Sequence, residues 1–139
     1  MTERPATPDD PEITAAAQLL RRIHPTWIVP DHQGGRKLSR QAYQDQKSAM
    51  SVFVEERLEE LGLSAADVLT DFDGYGLAAF PASAARSCGL RVVSDPNEAD
   101  GLRGRAHALV VGKKTGSVQK ALVSASTIRV WPGEAVSRG

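Results

Sequence analysis

The stretch Arg105–Ser126, RAHALVVGKKTGSVQKALVSAS, constrains the fold of this chain more than any other. Arg103 and Arg105 lead into His107 and an apolar burst from Ala108 to Val111. A short apolar run bounded by turn residues predicts a strand. The loop that follows, Gly112-Lys113-Lys114-Thr115-Gly116-Ser117, is basic and glycine-bounded, and the segment after it has helical spacing. Strand, basic loop and helix together suit an anion, because the N–H groups of a helix N-terminus and the lysine ammoniums all present positive charge. The loop is not a Walker sequence. That motif places lysine after its second glycine, whereas Lys113 and Lys114 precede Gly116 and Ser117 follows it directly.

The chain has 139 residues, enough for one domain with a single core. Aromatic residues make up 5% of it, so the core rests on Leu, Val, Ile and Ala. No apolar run approaches the roughly 18–20 residues of a membrane helix. The start, MTERPATPDDPE, lacks the apolar region of a secretory signal. The single cysteine, Cys88, excludes an internal disulfide and a multi-cysteine zinc cluster. These features predict a cytoplasmic protein. The net charge of zero conceals an asymmetry: residues 55–100 sum to −7 and residues 101–139 to +6. The simplest expectation is that the acidic middle and the basic end are complementary within the fold. The sharper one is that the basic end meets phosphate or nucleic acid.

Residues 1–12 hold three prolines and five charges and are expected to be a disordered tail. The pattern ITAAAQLL from Ile13 favours helix. Leu19–Ile23 either finishes that helix or forms a strand that aims Arg21 and Arg22 to opposite faces. His24-Pro25 breaks any helix, Thr26–Val29 reads as a short strand, and PDHQGGR from Pro30 reads as a loop. Ser39 is placed to cap a short helix through Gln46, and Ser48–Val54 contains a strand-like SVFV. EERLEEL from Glu55 reads as a helix stopped by Gly62, and Ser64 with Asp67 fits a capping box. The turn DFDGYG from Asp71 is no calcium loop, since its twelfth position is Ala82. Leu77–Phe80, Leu90–Val93, Ala106–Val111 and Thr127–Trp131 read as strands. Pro81 opens a small-residue helix in which Cys88 is a buried packing residue. The expectation is therefore α+β: one domain at 13–133, built on a mixed or mostly antiparallel sheet of about five short strands with helices on one side and at the ends, followed by a frayed tail at 134–139.

The candidate anion-binding residues are Arg21, Arg22 and His24 in one cationic cluster, and Lys113, Lys114 and Ser117 in the glycine loop. Arginine suits bidentate contact with phosphate or carboxylate. The more ordinary alternative is that one of the two arginines pairs with the acidic segment 55–60. His24, His32 and His107 lack metal-ligand spacing, so no metal and no cofactor is implied. His107 is the one histidine placed to act as an acid, a base or a donor to an anion. A strand of about five residues separates it from Lys113 by roughly 15 Å. Trp27, Tyr43 and Tyr75 lie far apart in sequence, which argues against a base-stacking platform and against nucleic acid as the partner.

The elements LLRRIHPTWIVPD, GYGLAAFPASAARSCGLRVVSDP and AHALVVGKKTGSVQKAL resemble a set of small bacterial proteins without an assigned activity, over most of residues 19–131. The resemblance implies a compact cytoplasmic protein and transfers no reactive residue. The order Arg21, Ser51, His107 is similar to that of ADP-ribosyltransferase-like folds. The late acid of those folds has no counterpart, because Glu134 lies beyond the last strand. Two functions follow as expectations. The first is a binding or accessory protein acting through a partner protein or a bound anionic ligand. The second is a nucleotide- or phosphoester-directed enzyme, with Arg21 or Arg22 and Lys113 on phosphate and His107 as acid or base.

Overall fold

The computed structural model describes residues 8–44 and 49–133. Residues 1–7 of the expected tail at 1–12, the expected tail at 134–139, the expected helix beyond Gln44, and Ser48 lie outside the described residues. The architecture is α+β. A six-stranded sheet has the order β6-β7-β4-β1-β5-β8, with β1 at Gln18–Ile23, β4 at Ala49–Val54, β5 at Gly76–Pro81, β6 at Arg91–Ser94, β7 at His107–Val111 and β8 at Thr127–Val130. Every pairing in it is antiparallel. A separate hairpin pairs β2 (Ile28–Pro30) with β3 (Arg36–Leu38). The strand β3 falls where the sequence reads as the end of a loop.

Strand β1 lies near the middle of the sheet, and its sequence explains why. Leu19 and Ile23 face one layer, Leu20 faces the other, and all three are fully buried. Adjacent leucines that both need burial suit a strand covered on two faces better than a helix with one apolar stripe. The helix expected from Ile13 therefore does not form. Residues 14–17 make a turn instead, with the Ala17 N–H on the Thr14 carbonyl, and tertiary pairing overrides the propensity of Ala and Gln.

Helices cover both faces of the sheet, which corrects the expectation of helices on one side and at the ends. On the first face α2 (Ala82–Ser87) and α3 (Gly116–Ala125) pack Ala82, Ala85 and Leu122 against Leu19, Val52, Ala78 and Val110. Each is a crossover, α2 joining β5 to β6 and α3 joining β7 to β8. On the second face α1 (Glu55–Glu60) and a 3₁₀ turn at Ala65–Leu69 pack Leu58, Val68 and Leu69 against Leu20, Phe53 and Leu77. The capping box of Ser64 and Asp67 opens that turn, and Ser39 caps a 3₁₀ turn at Arg40–Tyr43. Cys88 is half-buried against the first layer.

The unpaired side of edge strand β6 is occupied by the chain's own N-terminal segment. The Asp10 N–H donates to the Val92 carbonyl at 2.8 Å, and the Val92 N–H donates to Asp9 Oδ1 at 2.8 Å. Arg86 grips Asp9 at 3.0 Å, and Arg57 pairs with Asp10 at 3.3 Å. Residues 9 and 10, expected to be loose, thus satisfy backbone groups that would otherwise invite another strand. The acidic middle and basic end meet inside the fold. Arg103 pairs with Asp100, Arg129 with Glu55, and His107 with Asp95.

Candidate functional site

The pleat of β1 sends Arg21 and Arg22 to opposite faces, so they do not share a site. Arg21 Nε donates to the Ala42 carbonyl at 2.9 Å and Nη1 to the Ser51 carbonyl at 3.1 Å. Its guanidinium carbon lies 5.5 Å over the Trp27 ring. Arg22 Nε donates to the Val68 carbonyl at 2.7 Å, and the guanidinium stacks 3.7 Å from the Phe72 ring centre. Arg22 Nη2 is buried without a hydrogen-bond partner, and its ion-pair partner Asp100 stands 3.9 Å away. Burial, and then the neighbouring Arg103 guanidinium, push the Arg22 pKa down to about 10, so the group stays cationic at neutral pH. Arg103 holds both oxygens of Asp100 and donates to the carbonyls of Asp67, Val68 and Thr70. The two arginines therefore fasten the 65–69 turn to the sheet. The acid that pairs with Arg22 is Asp100, outside the segment 55–60.

His24 caps the 3₁₀ turn Pro25–Trp27, accepting the Thr26 N–H at 3.1 Å on Nδ1. His107 Nδ1 lies 2.8 Å from the Asp95 carbonyl oxygen and 3.1 Å from Asp95 Oδ2, and its ring packs edge-on against Phe53. Arg22 stacks on the same phenyl ring at 4.9 Å. Arg22 and His107 are thus brought to one aromatic residue, while Arg21 lies on the other face and Lys113 beyond the far end of β7. Lys114 is 8% exposed and donates to the Gly112 carbonyl at 2.9 Å, which closes its own loop. Lys113 and Ser117 are exposed. Thr115, not Ser117, caps α3 by accepting the Val118 N–H at 3.3 Å.

A different set of cations converges. Between the β2–β3 hairpin and α3 lies a groove of about 460 Å³, within the range of small-ligand sites. Val29, Leu38 and Val123 line its apolar part, and Ser39 and Ser124 add hydroxyls. Lys37, Arg40 and Lys120 supply charge, and all three are exposed. Among the described residues, no carboxylate lines the groove. Among the described residues, none of these three cations has an ion-pair partner.

The secondary structure places these groups. Gly116, Lys120, Val123 and Ser124 recur at helical spacing and share one face of α3. Lys37 lies opposite Val29 in the hairpin, and Arg40 opens the turn capped by Ser39. A Cβ added at Gly116 would come within 3.4 Å of an Arg40 guanidinium nitrogen, so Arg40 sits beside the start of α3. A guanidinium there adds to the positive end of the helix dipole, a pairing of like sign that an anion would relieve. Tyr43, at the end of the Arg40 turn, is hydrogen-bonded through its hydroxyl to Ser126, the residue that ends α3. That bond ties the two walls of the groove together.

Sequence reasoning picked out the start of α3 but missed Lys37, Arg40 and Lys120. The run RKLSR after Gly34-Gly35 was a visible signal, with three cations in five residues. Its relation to Lys120 depends on a tertiary contact with a residue at least 80 positions away in the chain and had no local signature. Among the described residues, no group of three His, Cys, Asp or Glu side chains is placed to hold a metal ion, and no helix is long and apolar enough to cross a membrane. Comparison with protein-family models, with curated proteins and with solved structures returned no match, so the reading of the site rests on its geometry.

Proposed function

We propose that this is a binding protein whose groove between the β2–β3 hairpin and α3 takes an anionic group, either of a small ligand or of an acidic partner. One observation carries the reading: Lys37, Arg40 and Lys120 converge on one concave surface where, among the described residues, no carboxylate lines the groove and none of the three has an ion-pair partner. Three like charges held together raise the local potential and favour a counter-ion. Among the described residues, the lining offers ammonium, guanidinium and hydroxyl groups and no histidine, cysteine or carboxylate, which supports binding rather than turnover.

The test is calorimetric titration of the full chain at low salt with inorganic triphosphate and, separately, with a hexaglutamate peptide. At least one is expected to bind the wild type, more weakly as salt rises. The triple variant Lys37→Ala/Arg40→Ala/Lys120→Ala is expected to lose at least ten-fold in affinity, since hydrogen bonds to charged groups contribute about 1.5–3 kcal/mol each. Its melting temperature should stay close to that of the wild type, because exposed substitutions change stability by about 0.5 kcal/mol or less. No binding by the wild type, or equal binding by the variant, refutes the proposal.

A further inference from the structure

Three half-buried rings form a continuous row whose Trp27 end is bonded through its backbone to the groove residue Ser39. Trp27 and His24 have ring centres 6.0 Å apart, and His24 and Tyr75 are 5.3 Å apart, edge to face. The β1–β5 register makes the row, because Ile23 pairs with Gly76 and so brings the residues on either side, His24 and Tyr75, together. Trp27 joins the row to the groove, since its carbonyl accepts the N–H of the groove residue Ser39 at 2.7 Å. One face of the indole is backed by Arg21, whose guanidinium is fixed on two carbonyls and so holds the ring in place.

The row is not surplus core. The chain has seven Phe, Trp and Tyr residues, and Phe53, Phe80 and Tyr43 fill the interior. Trp27, Phe72, Tyr75 and Trp131 stay half-buried, Trp27 and Tyr75 at the margins of the two core layers. A cationic groove that tracks phosphate, with aromatic rings beside it, is the pattern that takes nucleotides, because every base presents a π-face.

We infer that the ligand is a nucleotide, free or within a single strand, with its phosphate at Lys37, Arg40 and Lys120 and its base against Trp27. The inference rests on the groove binding anions. An acidic peptide would satisfy the same cations but has no use for the rings, so the aromatic row decides between the two.

The test compares affinities of the full chain for pyrophosphate, adenosine diphosphate, a hexathymidylate strand and hexaglutamate. At least one nucleotide probe is expected to bind ten-fold or more tighter than pyrophosphate, the size of one base stacked on an aromatic ring. In Trp27→Leu that advantage disappears while pyrophosphate affinity stays within two-fold. A strand that binds much more tightly than the diphosphate identifies the polymer as the source. Equal affinities of those two identify the free nucleotide, and either outcome supports the inference. If pyrophosphate and adenosine diphosphate bind equally and the strand no better, the base site is refuted and the anion groove stands. If hexaglutamate binds more tightly than either nucleotide probe, the ligand is an acidic peptide and the inference is overturned. If nothing binds, both proposals fall. A second readout covers the case in which Trp27→Leu does not fold. In Trp131→Phe, which leaves Trp27 as the one tryptophan of the chain, nucleotide binding is expected to quench fluorescence, and binding without quenching overturns the base assignment.

Discussion

Raising the pH should loosen the groove through Tyr43. This side chain is fully buried, packs edge-on against Phe80 with ring centres 5.4 Å apart, and is hydrogen-bonded to Ser126. Burial pushes its pKa up to about 12, against weaker pulls downward from the Ser126 hydroxyl and the Arg21 cation. A tyrosine in the unfolded chain ionises near pH 10. Between these values the unfolded state has released a proton that the native state retains. Stability therefore falls as pH rises. Below pH 10 the linkage contributes little. It removes about 1 kcal/mol by pH 11 and about 2 kcal/mol by pH 12. The assay is urea unfolding of wild type and Tyr43→Phe across pH 8–12, because the difference between the two cancels the titration of lysines and other groups common to both. The variant should be less stable by about 1 kcal/mol at neutral pH, for the lost hydrogen bond. That deficit should shrink and then reverse as pH rises, since phenylalanine has no proton to lose. A deficit that stays constant from pH 8 to 12 would refute the claim that Tyr43 is held un-ionised in the core.

Two further perturbations probe the second face of the sheet. Arg103→Ala removes the bidentate contact to Asp100 and donors to three carbonyls. It should cost about 3 kcal/mol in denaturant unfolding, offset in part by relief of its repulsion on Arg22. Arg103→Lys should recover little of this loss, because an ammonium cannot reproduce the planar fork. Gly104→Ala would drive a Cβ into the Asn97 carbonyl oxygen. The backbone has to move there, and about 1–3 kcal/mol of stability should be lost on melting.

Much of the fold was legible because strand periodicity is local. The alternation in Leu90–Val93 and Thr127–Trp131 and the turn-bounded apolar run in Ala106–Val111 report strands, which form at Arg91–Ser94, Thr127–Val130 and His107–Val111. The opposite aim of Arg21 and Arg22 follows from the same period of two. The helix expected from Ile13 failed where local propensity met a non-local demand, the burial of Leu19 and Leu20 in different layers. The order of Asp9 and Asp10 was invisible for a related reason, since their partners Val92, Arg86 and Arg57 lie far along the chain.

The candidate site was legible only at its α3 end. Lysines in a glycine loop attract notice, yet Lys114 turns back on Gly112 and Lys113 points to solvent. The groove needs the hairpin at 28–38 to stand beside α3, and the aromatic row needs β1 to pair with β5. Rings at positions 24, 27 and 75 look scattered until that register is known. A chain of zero net charge still concentrates Lys37, Arg40 and Lys120 on one groove that no carboxylate lines among the described residues.

The most direct test of the anion groove is an amide-resolved NMR titration of the full chain with inorganic triphosphate at low salt. The proposal predicts that the largest shifts fall at residues 37–40 and 116–124 and follow one saturating curve that weakens as salt rises. Shifts centred instead on His107, Asp95 and Asp100, or no saturable shift anywhere, would contradict it.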